Sequence, residues 1–174
     1  MQYDTGQTAK PPAPVEPTGF FTGVQIRPII VGVVVDYIAT YAGTYAYFFI
    51  YLAKELSKQG EVTGEQIRRY MTSPEGLMIG FVIGTLATAL GGVVAARKAG
   101  TLEVKHGTLV GICSLALSFL EQSLQEESLP LPEWFRFLSI LAIVPAGALG
   151  GFLAESFKGF GRPYRQSRGS WPGT

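Results

Sequence analysis

Residues 76–96 read GLMIGFVIGTLATALGGVVAA and contain no charged side chain. A helix needs about 20 residues, at about 1.5 Å each, to cross the ~30 Å hydrocarbon core of a bilayer. The stretch therefore predicts a membrane-spanning helix. The tripeptide directly before it is typical of a helix start, with Ser73 as N-cap, Pro74 at the first helical position and Glu75 beside the positive end of the helix dipole.

Three further apolar stretches accompany this one. Residues 29–52 are interrupted only by Asp36, and residues 137–154 are uncharged. Residues 107–120 are shorter and fit either a span that continues to residue 124 or a re-entrant or buried helix. We expect a span, because the helices then close into paired hairpins. The predicted fold is an all-α polytopic membrane bundle of four transmembrane helices, at about residues 29–53, 76–96, 107–124 and 134–157.

The chain outside these helices forms two tails and one short segment. Residues 1–25 are polar and proline-rich, and residues 158–174 are basic. Both tails are therefore expected to be disordered, on either side of a transmembrane domain at residues 26–157. Thr63 is a suitable N-cap for a short amphipathic segment that ends at Met71.

The composition argues against several classes of function. Charged residues make up 16% of the chain, against ~25% in an ordinary soluble domain, which favours the lipid bilayer as its surroundings. The net charge of +1 argues against a nucleic-acid partner. With one cysteine, Cys113, and one histidine, His106, the chain offers no multi-histidine metal or haem site, and we expect no cofactor.

Lysine and arginine are unevenly divided between the two sides of the predicted bundle. With four spans, the two tails and the 97–106 loop share one side and hold nine of these residues, against five on the other side. Because cytoplasmic loops carry an excess of lysine and arginine, both termini are predicted to be cytoplasmic.

Small residues recur at helical spacing. The sequence Ala-Leu-Gly-Gly at residues 89–92 returns at residues 148–151. The repeated tetrapeptide indicates either a parallel pseudo-repeat of two helical hairpins or a coincidence among common residues. Small residues let membrane helices approach closely, either within one chain or between copies of it. The candidate helix-packing residues are Gly80, Gly84, Gly91, Gly92, Gly147, Gly150 and Gly151.

The most informative residue is Asp36, about seven residues inside the first predicted span. A carboxylate at such depth is costly unless it is paired or hydrated, and it marks a candidate functional site. On or beside the same helical face lie Tyr37, Thr40, Tyr41 and Thr44. The functional interpretation is a hydrated groove in which Asp36 takes a proton or a cation.

The structural interpretation of Asp36, which we favour on the sequence alone, is an ion pair with a base. Candidate partners at that end of the bundle are Arg97, Lys98, Lys105 and His106, and Glu121 and Arg136 are expected to pair at the opposite edge. Only one acid lies inside the predicted spans, whereas proton relays usually contain several.

Known catalytic patterns are missing from the sequence. It has no phosphate-binding glycine loop, no His-Glu-x-x-His, no Cys-x-x-Cys and no Gly-x-Ser-x-Gly. We therefore expect a protein without enzymatic activity, acting as a structural or accessory subunit or as a homo-oligomer in the membrane. The alternative is a small transporter or channel that uses Asp36 and the Thr/Tyr-rich face of the first helix.

Residues 91–100, GGVVAARKAG, and residues 106–111, HGTLVG, carry a family resemblance. The chain resembles small four-helix prokaryotic membrane proteins of uncharacterised function. In these proteins the second helix ends in Gly-Gly and a basic residue, and the third opens with His-Gly. The last helix often carries a pair such as Gly150-Gly151. The resemblance implies a prokaryotic cytoplasmic-membrane protein with four spans and implies no activity.

Overall fold

The computed structural model describes Gly19 and residues 21–124 and 131–160. Every regular element in this part of the chain is an α-helix, and there are five of them. Their bounds are α1 Ile26–Gln59, α2 Gly64–Met71, α3 Pro74–Ala99, α4 Glu103–Leu124 and α5 Glu133–Phe160. The predicted disorder of the two tails falls mostly on residues 1–18, 20 and 161–174, which lie outside the described residues.

Four of the five helices, α1, α3, α4 and α5, are long and apolar enough to cross a membrane. This confirms the predicted all-α bundle with four candidate spans, including the short third stretch, which α4 extends to 22 residues. The predicted bounds were too narrow, because polar residues at the ends of each apolar run continue the helix. Lys158, predicted as the start of the C-terminal tail, belongs to α5 instead.

Helices α3 and α4 form the middle of the bundle, and α1 and α5 lie on either side of them. Both outer helices pack against both central ones, and in the described chain α1 and α5 do not touch each other. Along α1 and α4 the contacts advance together, from Asp36 with Ser114 to Tyr41 with Glu121, so these two helices run parallel. One side of α1 therefore faces α3 and α4, and the other is left to the surroundings.

Helices in the bundle approach each other backbone to backbone at glycines. A Cβ atom on Gly91 would lie 3.0 Å from the Cβ of Asp36, and one on Gly92 would lie 2.5 Å from the carbonyl oxygen of Gly147. Any larger residue would push the helices apart. Five of the predicted packing glycines make such contacts: Gly91, Gly92, Gly147, Gly150 and Gly151.

Two predicted packing glycines behave differently. A Cβ on Gly80 or Gly84 would meet no described atom within 4 Å. The prediction that they hold helices of this chain together was wrong, because each of them lines a cavity instead of a close helix contact. The echoed segments at residues 89–92 and 148–151 face each other between α3 and α5, and an internal repeat stays a prediction.

The predicted helix starts at Thr63 and Ser73 are both confirmed. Thr63 and Gln66 form a reciprocal capping box at the start of α2, and the Ser73 hydroxyl accepts from the Gly76 amide at the start of α3. The Tyr70 ring of α2 stacks on that of Tyr51, with centroids 3.8 Å apart. Burial and a hydrogen bond with Tyr47 raise the pKa of Tyr70 above its usual range, so the Tyr70 hydroxyl stays protonated at physiological pH.

Polar side chains make contacts between helices at the end of the bundle where α1 begins and α5 ends. His106 of α4 is fully buried, and its Nε2 accepts a 3.0 Å hydrogen bond from the Gln25 backbone amide at the start of α1. The Nδ1 atom lies 3.0 Å from the carbonyl oxygen of Leu102, so the neutral ring is protonated on Nδ1. Lys158 of α5 pairs with Glu103 of α4. These contacts bind the ends of α1 and α5 to the α3–α4 turn.

Candidate functional site

Asp36 lies where α1, α3 and α4 meet, and its side chain is only 4% exposed. It is brought there by Gly91 of α3, which has no side chain and lets α1 approach closely. Residues of α1 that share its inward face, such as Thr40, Gly43 and Tyr47, are partly buried, whereas Tyr41 and Tyr45 are exposed. The polar side of the first helix therefore faces the bundle at Thr40, whereas the tyrosine stripe does not, since Tyr41 and Tyr45 are exposed.

Hydroxyl groups from three helices surround the Asp36 carboxyl. The Ser114 hydroxyl lies 2.5 Å from Oδ2, and the Thr88 hydroxyl lies 3.1 Å from Oδ1 and 3.2 Å from Oδ2. Thr40, one turn along α1, approaches Oδ1 at a longer 3.4 Å. No buried polar side-chain atom in the described residues lacks a hydrogen-bond partner, so the desolvated carboxyl is compensated by hydrogen bonds.

The Thr88 hydroxyl can serve two protonation states of Asp36. Its oxygen also lies 3.0 Å from the carbonyl oxygen of Gly84, one turn earlier in α3. A hydroxyl has one hydrogen. It either donates to an ionised Asp36, or it donates to Gly84 and accepts from a protonated Asp36. Rotation of this one hydroxyl therefore satisfies the carboxyl with or without a proton.

The predicted ion pair between Asp36 and a base was wrong. Salt bridges within the described chain do not include Asp36. Arg97 and Lys98 are exposed at the end of α3, nine and ten residues beyond Thr88, which is about 13–15 Å along the helix. Lys105 lies nine residues before Ser114 on α4, a similar distance along that helix. His106 is held by Gln25 and Leu102 instead. The sequence favoured these bases because they were predicted to lie at the same end of the bundle as Asp36, but Asp36 lies too deep for them to reach.

A cavity of about 220 Å³ extends from Asp36 along α1 and α4. Ser114, Ser118 and Glu121 line it at i, i+4 and i+7, which is one face of α4. At its far end the Tyr41 hydroxyl donates a 2.9 Å hydrogen bond to the exposed Glu121 carboxylate. The remaining lining residues are Tyr37, Thr40, Gly84, Thr88 and Ile143. We refer to this cavity as the hydroxyl cleft.

Glu121 does not form the predicted pair with Arg136. Its observed partner is Tyr41 of α1, because α4 turns this carboxylate towards α1, whereas Arg136 of α5 lines a separate 300 Å³ cavity between α4 and α5. The two cavities share Ser118 and Ile143 in their walls.

Most of the predicted polar site is present in the hydroxyl cleft, but two of the three hydroxyl donors to Asp36 were missed. Tyr37, Thr40 and Tyr41 line the cleft with Asp36, whereas Thr44 lines a different cavity. Sequence reasoning overlooked Thr88, Ser114 and Ser118. The i, i+4, i+7 polar stripe of α4 was the signal that could have revealed two of them.

The four long apolar helices indicate a multi-pass membrane protein. Residues 69–154 match a family model described as a protein of unknown function (DUF3792). The match covers just under half of the chain and includes Thr88, Ser114 and Glu121, but it excludes α1 and Asp36. This agrees with the expected likeness to uncharacterised proteins. No curated protein and no solved structure matches the chain.

Proposed function

We propose that this is a non-enzymatic membrane protein that binds and releases a proton at Asp36, as a small transporter or channel. One observation carries the proposal: a deeply buried carboxyl with hydroxyl partners and no base beside it within the described residues. An ionised carboxylate at this depth without a countercharge is costly, and a bound proton removes that cost. The Thr88 hydroxyl supports reversible proton binding, because it has a hydrogen-bond partner whether Asp36 is protonated or ionised.

A proton suits this site better than a metal cation. The Ser114 and Thr88 oxygens lie 2.5 Å and 3.1 Å from the carboxyl, which are hydrogen-bond distances. A hard cation needs about six oxygen ligands, each more than ~2 Å from its centre, so it would have to force these oxygens apart. The proton is the ligand that the arrangement accepts without rearrangement.

Chemical labelling tests the proposal. Dicyclohexylcarbodiimide reacts with protonated carboxyls in apolar surroundings: the acid adds across a C=N bond, its proton passes to nitrogen, and the acyl group shifts to give a stable N-acylurea with no leaving group. Labelling of Asp36, located by peptide mass spectrometry in liposomes, should fall as the pH is raised. Asp36→Asn is the control without a target. Failure of Asp36 to react at any pH, in folded protein, would contradict a protonated site.

The second candidate is a structural or accessory subunit, or a homo-oligomer. It is supported by Gly80, which is exposed and lies at the four-residue spacing of close helix contacts, and where an added Cβ would meet no described atom within 4 Å. Gentle detergent extraction followed by native mass measurement tests it. A dimer that Gly80→Leu dissociates without unfolding the monomer would favour this role, and a monomer with proton flux would favour the first.

For both candidates we place the protein in the cytoplasmic membrane of a prokaryote. The resemblance in residues 91–111 supports the prokaryotic setting, and the nine-to-five distribution of lysine and arginine supports cytoplasmic termini. Fusion of a reporter that is active only in the cytoplasm to each terminus tests the orientation.

A further inference from the structure

We infer that Asp36 exchanges protons with only one side of the membrane in this conformation, the side on which Glu121 lies, and that Glu121 is the carboxylate that receives protons from that side. This inference rests on the proposed function. It concerns direction of access, which proton binding by itself leaves open.

The route towards Glu121 is lined with hydroxyls. From Asp36, the hydroxyl cleft passes Ser114 and then Tyr37 and Ser118 before it reaches Glu121. The distance from Ser114 to Glu121 along α4 is seven residues, or about 10 Å. A cavity of about 220 Å³ with these hydroxyl groups in its wall has room for several water molecules. Waters and hydroxyls along this route can pass a proton by short steps.

The opposite route is closed by tightly packed apolar groups. A Cβ on Gly32 of α1 would lie 2.7 Å from both the carbonyl oxygen of Gly91 and a methyl group of Val110, and 2.8 Å from the Cβ of Ala95. Ala95 and Val110 are both 0% exposed. We refer to the close contacts among Gly32, Gly91, Ala95 and Val110 as the plug. The plug leaves no space for water between Asp36 and the end of the bundle that carries His106.

Glu121 is the group best placed to exchange with water. The titratable residues that face Asp36 along the cleft are Tyr37 and Tyr41 from α1 and Glu121 from α4, whereas α3 and α5 line it with Gly84, Thr88 and Ile143. Tyrosine remains protonated at neutral pH. Glu121 is exposed and accepts from Tyr41, which orients it across the mouth of the cleft.

Cysteine accessibility tests the direction of access. In a Cys113→Ala background, Ser118→Cys places a thiol in the cleft, Val110→Cys places one in the plug at similar volume, and Arg97→Cys marks the other surface. A membrane-impermeant thiol reagent is added to sealed vesicles from one side at a time. We expect Ser118→Cys to react only from the side opposite to Arg97→Cys, and Val110→Cys to react from neither. Reaction of Ser118→Cys from the Arg97 side, or of Val110→Cys from that side, would overturn the inference.

A pH jump on one side of oriented vesicles separates this inference from the proposed function. Infrared difference spectra follow the carboxylic acid band of Asp36, identified by its loss in Asp36→Asn. The band should respond to a jump on the Glu121 side, and Glu121→Gln should slow the response at least about tenfold with the same final amplitude. An Asp36 band that never responds contradicts proton binding itself. A band that responds equally to both sides, or at an unchanged rate in Glu121→Gln, contradicts only the inference.

Discussion

The Ser114 hydroxyl lies 2.5 Å from Asp36 Oδ2 and joins α4 to α1 inside the bundle. Buried hydrogen bonds between membrane helices contribute about 0.6 kcal/mol on average and up to about 1.7 kcal/mol. We expect Ser114→Ala to lower the free energy of unfolding by about 1 kcal/mol, measured by denaturant unfolding in detergent micelles. A double-mutant cycle with Asp36→Leu, which removes the acceptor, should show coupling between the two side chains, whereas a cycle of Ser123→Ala, at an exposed position of the same helix, with Asp36→Leu should show none.

Substitutions of Asp36 separate its role in holding the helices together from its proposed role in proton binding. Asparagine keeps the size of the side chain and its capacity for hydrogen bonds with Thr88 and Ser114, so Asp36→Asn should leave the thermal midpoint nearly unchanged. It cannot be protonated and deprotonated near neutral pH, so proton flux into liposomes under an applied potential should be lost. Asp36→Leu should reduce both stability and flux, because it leaves the hydroxyls without their acceptor. Equal flux in wild type and Asp36→Asn would rule out Asp36 as the carrier.

The ring of His106 caps α1 from another helix. Its Nε2 accepts from the Gln25 amide, whose own side chain makes no cap at this position and instead donates to the Ala99 carbonyl oxygen. Loss of a cap costs about 1 kcal/mol. His106→Leu should therefore speed hydrogen exchange of the amides of Gln25, Ile26, Arg27 and Ile29, while proton uptake by Asp36 stays the same. Unchanged exchange at these amides would show that the ring does not hold the start of α1.

The charged pair between Lys158 and Glu103 fixes the end of α5. Lys158 also donates to the Gly100 carbonyl oxygen across 2.6 Å. Lys158→Ala should increase hydrogen exchange over residues 155–160 and cost no more than about 1 kcal/mol, because the lysine side chain is 39% exposed. Lys158→Arg is the matched control and should retain most of the protection.

The sequence predicted local features better than it predicted pairing. Long uncharged runs and cap residues such as Ser73 act within one helix, so the four spans and their starts were accessible. The partners of Asp36 depend on which residues of α3 and α4 lie at the same depth as Asp36 on α1. This relative position of the helices is set by close contacts such as that of Gly91 in α3 with α1. The spacing of residues along one helix does not reveal how that helix is aligned with its neighbours. The bases predicted for Asp36 therefore lie at the correct end of the bundle but at the wrong depth along the helices, and Thr88 was missed.

Glycine substitutions provide the sharpest test of the packing. A Cβ on Gly150 of α5 would lie 2.9 Å from the backbone nitrogen of Val93 and would meet the Ala89 backbone at close range. Because backbone atoms cannot move aside as a flexible side chain can, Gly150→Ala must separate α3 from α5. We expect a loss of about 1–3 kcal/mol in the free energy of unfolding.

Gly84→Ala is the control for this substitution, since a Cβ at Gly84 meets no described atom within 4 Å. It should change the free energy of unfolding by no more than about 0.5 kcal/mol. Both variants are compared by denaturant unfolding in the same micelles. If Gly84→Ala is as costly as Gly150→Ala while the protein is monomeric, the helices approach each other along a different face of α3.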